Sequence, residues 1–147
     1  MITNNYAPWL FLLTGFFALR VLAQFVTFYV PVPFLPPFEA WHSGTMPYWL
    51  LVSFQLGIFH LMLHTSVKAY RNRLVSQPKV AKYLWVAGIV YMSLMLVRLA
   101  LGQTLFEEHR WFSNTLSTSF HFVLATFVLT TATVLKNNNS NRGVLYV

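Results

Sequence analysis

Tyr83-Leu-Trp-Val-Ala-Gly-Ile-Val-Tyr-Met-Ser-Leu-Met-Leu-Val-Arg-Leu-Ala-Leu-Gly102 runs for twenty residues with a single charge, Arg98. About 20 apolar residues span the hydrocarbon core of a bilayer, so this stretch reads as a transmembrane helix. Three further windows read the same way: residues 8–30, 48–67 and 111–135. They carry Arg20, His60, His64 and His121, and none of the four windows contains an Asp or a Glu. An ionisable side chain inside a bilayer costs several kcal/mol unless something satisfies it, so these bases mark a functional region.

Composition supports the same class. The chain has 147 residues, of which 56% are hydrophobic and 9% charged, against about 25% charged in an ordinary soluble domain. Mean hydropathy is +0.55. The four windows leave no room for a separate soluble domain. The expected fold is therefore all-α, an integral membrane four-helix bundle forming one domain over residues 1–147, with a polar tail at 136–147. Pro8 suits the first turn of a helix. The first window lacks a basic leader and holds Arg20 near its middle, so it reads as a retained helix rather than a cleavable signal peptide.

Charge sets the expected topology. The net charge is +7, and Lys68, Arg71, Arg73, Lys79 and Lys82 cluster between the second and third windows. In a soluble protein such a balance would suggest nucleic acid. Here it follows the positive-inside rule, which places that loop and both termini in the cytoplasm. The expected location is a multi-pass position in a cytoplasmic or inner membrane. The expected partners are lipid and other membrane subunits, and no nucleic acid. Cysteine is absent, which excludes thiol redox chemistry, thiolate metal sites and Cys nucleophiles.

The first outer loop, residues 31–47, holds five of the seven prolines. Proline removes donors and clashes with the preceding turn, so an ordinary helix is not expected there. Phe34, Phe38 and Trp41 argue for an ordered loop that lies on the outer surface or folds over the bundle mouth.

Helical spacing collects the polar residues into stripes. Arg20, Gln24 and Thr27 share a face, as do Ser53, Gly57, His60 and His64. A third stripe is Gly88, Tyr91, Met95, Arg98 and Gly102, and a fourth is Asn114, Ser117, His121 and Ala125. Each stripe is expected to turn inward. Small and polar residues pack membrane helices together, which explains most of these positions and accounts poorly for the arginines. Gln55 lies about 140° round its helix from His60, so the two cannot both point at one axis.

Depth narrows the candidates. His60 lies about 18 Å below the outer boundary, His121 about 15 Å below it, and Arg20 about 18 Å from the inner one. Two histidines at matched depth suit the axial ligands of haem b, with arginines beside its propionates. A quinone would need only donors to its carbonyls, which His60, His121, Arg20, Arg98, Gln24 and Tyr91 can supply. Haem b or a quinone, in a subunit of an electron-transfer complex, is one functional expectation. A non-catalytic accessory or assembly subunit of a larger membrane complex is a second. The third is a membrane enzyme acting on a lipid at the outer face through Glu39 and His42, a carboxylate–imidazole pair suited to acid–base work. If the Pro-rich loop folds inward, Glu39 is also the best in-chain counter-ion for Arg98. A metal held by His60 and His64 with His121 is a further expectation from their spacing.

Overall fold

Every long apolar window becomes a helix in the computed structural model, which describes residues 6–41, 46–104 and 115–137. The elements are α1 (Ala7–Tyr29), α2 (Phe38–Trp41), α3 (Tyr48–Tyr70), α4 (Pro78–Thr104) and α5 (Thr115–Asn137). The four long helices are each long and apolar enough to cross a membrane. At 1.5 Å per residue they measure about 34–40 Å, against about 30 Å of hydrocarbon. This is a four-helix bundle of a multi-pass membrane protein.

Two boundaries run three or more residues further than hydropathy suggests. Helix α4 starts at Pro78 rather than at 83, because proline at the first position forfeits no hydrogen bond. Lys79 and Lys82 are exposed there, where their ammonium groups can reach the headgroup layer. Helix α3 continues to Tyr70 and closes with Asn72 in the left-handed region, at φ 52°. The Arg73 amide donates to Lys68 O at 2.9 Å and the Asn72 amide to Ala69 O at 3.1 Å. That pair of bonds satisfies carbonyls that a helix end otherwise leaves open.

The helices pack in the order α3, α1, α5, α4. Between α4 and α5, the most extensive contact, Ala81, Gly88, Ala125 and Ala132 are buried. A Cβ at Gly88 would stand 2.7 Å from Leu129 Cδ2, so the glycine permits this approach. Small residues serve membrane helices in this way, because close backbone contact replaces the missing hydrophobic drive. Between α1 and α3, Leu10, Phe17, Met62 and Ala69 form a core with Phe127 of α5. Thr14 and Ser66 clip these two helices with a hydroxyl–hydroxyl bond of 3.1 Å. Ser76 Oγ donates to Leu135 O at 3.2 Å, which ties the basic α3–α4 connection to the last turns of α5. By contrast, α3 and α4 make no extensive contact with each other among the described residues.

One of the four stripes is turned the other way. Arg20, Gln24 and Thr27 are buried, as are Gly88, Arg98, Gly102, Ser117 and Ala125. On α3 the buried side is Tyr48, Gln55, Met62, Ser66 and Ala69. Ser53, Gly57, His60 and His64 are all exposed. Helix α3 therefore presents Gln55 inward and both histidines outward, the reverse of the expected facing. The 140° separation between Gln55 and His60 forces such a choice, and the Gln24–Gln55 contact described below accompanies this one.

The Pro-rich loop holds one helical turn, α2, in its proline-free part. Trp41 Nε1 donates to Pro36 O at 2.9 Å. Phe28 stacks on Tyr48 at 4.3 Å between ring centroids, and Phe38 meets both rings edge-on. Trp41 is buried and lies 6.1 Å from the Phe120 ring. The loop thus folds back over one end of the bundle.

Candidate functional site: a basic cavity within the bundle

Beneath Trp41 lies a cavity of about 290 Å³ bounded by all four long helices. Its polar lining comprises Arg20 of α1, Gln55 of α3, Arg98 of α4, and Ser117 and His121 of α5. Counted along each helix, Arg20, Gln55, Arg98 and His121 stand six to nine residues from the α2 end. That is about 9–14 Å of rise, inside the hydrocarbon layer. Phe17, Ile58, Met95 and Leu124 supply apolar walls, and Trp41 and Met46 lie at the α2 end. A volume near 300 Å³ is at the low end for small-molecule pockets.

Arg20 is only 7% exposed. Its guanidinium carbon stands 5.5 Å from the Phe120 ring centroid, a contact that stabilises the cation through the ring quadrupole. Its Nε has no hydrogen-bond partner among the described residues. Arg98, 6% exposed, contributes the second guanidinium. Two buried cations bordering one cavity repel each other, which raises the cost of holding Arg20 there with its Nε unpartnered among the described residues.

Tyr91 and His121 form a 2.6 Å hydrogen bond between the phenol oxygen and Nδ1, with their rings perpendicular. Tyr91 stands behind His121 rather than in the lining. With Nδ1 occupied, Nε2 is the ring nitrogen available to a ligand, and it carries the proton when the phenol donates to Nδ1. Gln55 Nε2 donates to Gln24 Oε1 at 2.9 Å. Gln24 is fully buried and outside the lining, so it fixes Gln55 from behind. Gln55 Oε1 has no partner among the described residues. The cavity therefore offers two guanidiniums, an imidazole and an amide, a set dominated by donors.

Several expected site residues lie elsewhere. His60 is exposed and lies outside the cavity lining; its ring stacks on His64 at 6.2 Å with an interplanar angle of 7°. The expected His60–His121 pair is thus not assembled within the chain, and neither is a His60–His64–His121 metal site. Among the described residues no three His, Cys, Asp or Glu side chains cluster. Glu39 is exposed on α2 and forms no ion pair with Arg98; it borders a separate recess with Thr27 and the loop prolines. It is not the counter-ion expected for that arginine. His42 falls outside the described residues, as do Glu107, Glu108, His109, Arg110 and Asn114.

Trp41, Phe120 and Gln55 are among the cavity residues that the polar stripes did not include. Only Gln55 carried a usable signal, as a polar residue one heptad from Tyr48 and from Met62.

No family model, curated protein or solved structure matches the chain.

Proposed function

We propose that this membrane protein binds a small molecule bearing an anionic group, a carboxylate or a phosphate, between Arg20 and Arg98. The single observation that carries this reading is Arg20: nine-tenths buried, with Nε unpartnered, in a cavity whose described lining contains no acid. Guanidinium forks bind such groups through paired, charge-assisted hydrogen bonds. A bound anion would offset the cost of holding Arg20 in the bilayer. His121 Nε2 and the Gln55 amide are placed to orient the remainder of the ligand.

A quinone is the second reading, favoured by the Tyr91–His121 hydrogen bond. A donor beside a carbonyl that can be reprotonated through a phenol suits proton-coupled reduction. In that reading the protein serves as a subunit of an electron-transfer complex. Haem b is supported less, since the described lining of the cavity supplies His121 but no second histidine.

Extraction of the purified protein with organic solvent, followed by mass spectrometry and absorbance, separates these readings. An acidic compound should co-purify, and Arg20→Gln should retain at least tenfold less of it, equivalent to about 1.4 kcal/mol. A Soret band or a quinone absorbance change on reduction would replace the anion reading. Equal retention by the folded Arg20→Gln variant would refute it.

A further inference from the structure

We infer that the ligand is an anionic amphiphile that enters sideways from the bilayer, its head on the arginines and its chain leaving between α3 and α4. The inference rests on the anion-binding reading above and adds a route and a ligand class to it.

The route follows from which helices touch. Helix α1 packs on α3 and α5, and α5 packs on α4, but α3 and α4 make no extensive contact among the described residues. Both nevertheless line the cavity, through Phe54 and Ile58 on one side and Met95 and Arg98 on the other. The cavity's fourth side is thus the gap between them. Phe54 lines the cavity and is also 58% exposed. It therefore stands at the junction of the cavity and the outer surface.

Depth decides what that gap faces. Phe54 and Ile58 lie six and ten residues below the start of α3, and Met95 lies nine residues from the end of α4. These offsets are about 9–15 Å of helical rise. With about 30 Å of hydrocarbon spanned by helices somewhat longer than that, the gap opens onto acyl chains rather than water or headgroups. At the α2 end, Trp41 is 5% exposed, bonded to Pro36 and set against Phe120. Among the described residues, the cavity is covered there by the loop and open at its side.

Chemistry then selects the ligand. One part of the lining is basic and polar, while the side nearer the gap is Phe54, Ile58 and Met95. At about 290 Å³ the cavity suits a head and its first few carbons. A longer chain would have to continue into the bilayer, where its burial adds favourable free energy of about 0.8 kcal/mol per methylene. A small hydrophilic anion would gain nothing from this arrangement.

Photolabelling of the full-length protein in phosphatidylcholine nanodiscs tests the idea. The probes are a diazirine-bearing long-chain fatty acid and its methyl ester, with acetate and inorganic phosphate as competitors. The acid should label the α3 and α4 segments around Phe54 and Met95. The ester should label them at least tenfold less, and neither small anion should compete at concentrations equal to that of the acid. Phe54→Trp, which enlarges the residue at the gap, should cut labelling by the acid severalfold while the bundle melts normally. Arg20→Gln should abolish labelling, and Arg20→Lys should restore part of it.

Competition by acetate or phosphate at matched concentration, or undiminished labelling of Phe54→Trp, would overturn the sideways amphiphile and leave a soluble-anion site standing. Equal labelling by acid and ester would overturn it as well, by removing the need for a charged head. Failure of the acid, acetate and phosphate alike to bind the folded protein would bring down the anion-binding reading itself.

Discussion

His60 and His121 are the same residue in helices of the same length, yet the structure gives them opposite surroundings. His121 is half-buried, bonded to Tyr91 and beside two arginines in a cavity. His60 is exposed on α3, with the His64 ring as its neighbour. Glycine repeats the contrast. Gly88 lies in the α4–α5 seam, where a Cβ would meet Leu129, whereas a Cβ at Gly57 would meet nothing within 4 Å. Residue type thus says little about role in a membrane helix. The face on which it sits says nearly everything, because one face meets protein and the other meets lipid.

Mutations in the seam and the cavity should therefore behave unlike the same mutations on the α3 face. The largest effect is expected at Gly88. Gly88→Val pushes a branched side chain into Leu129 and should destabilise the bundle by about 1–3 kcal/mol, seen as a lowered melting temperature in detergent. Next comes the amide clip. Gln24→Leu leaves Gln55 buried without its acceptor and should cost about 1–2 kcal/mol, with part recovered in the Gln24→Leu/Gln55→Leu double variant. A double-mutant cycle on thermal melts measures that recovery, and strict additivity would break the assignment.

Tyr91→Phe removes the hydroxyl partner of His121 and should cost about 1 kcal/mol or less. Because it frees Nδ1, it should also shift the pH profile of ligand retention, which a purely structural role would leave unmoved. The smallest effects belong to the outer face. His60→Leu and Gly57→Ala should leave melting and ligand retention unchanged in the isolated protein. A loss of ligand from His60→Leu comparable to that from Arg20→Gln would erase the distinction between the two faces.

Much of this was legible from residues alone. Runs of about twenty apolar residues named the spans, since an unsatisfied backbone forces helices in lipid. The absence of acids from the spans that carry Arg20, Arg98 and His121 drew notice to the bundle interior, where the cavity lies. Three polar stripes faced inward because small and polar residues are where membrane helices meet. The α3 stripe did not follow, although Ser53, Gly57, His60 and His64 form as good a pattern as the others. Its helix has two competing polar faces, and spacing alone cannot rank them.

The cavity's roof was less legible. The prolines of residues 31–37 predicted an irregular loop, and Trp41 looked like one aromatic among several. Its role depends on Pro36 O and Phe120, partners five and seventy-nine residues away. Glu39 shows the opposite error, an acid that its place in the inward-folding loop nominated and that packing left exposed.

By itself, the sequence determined that the chain spans a bilayer four times and that it holds cations there without acids. Hydropathy and charge are properties of each segment alone, and lipid reads them directly. Only the tertiary structure decided which polar face of α3 turns inward, which histidine joins the arginines, and that α3 and α4 stand apart. Those outcomes depend on how side chains of different helices fit against one another, and no single segment contains that information.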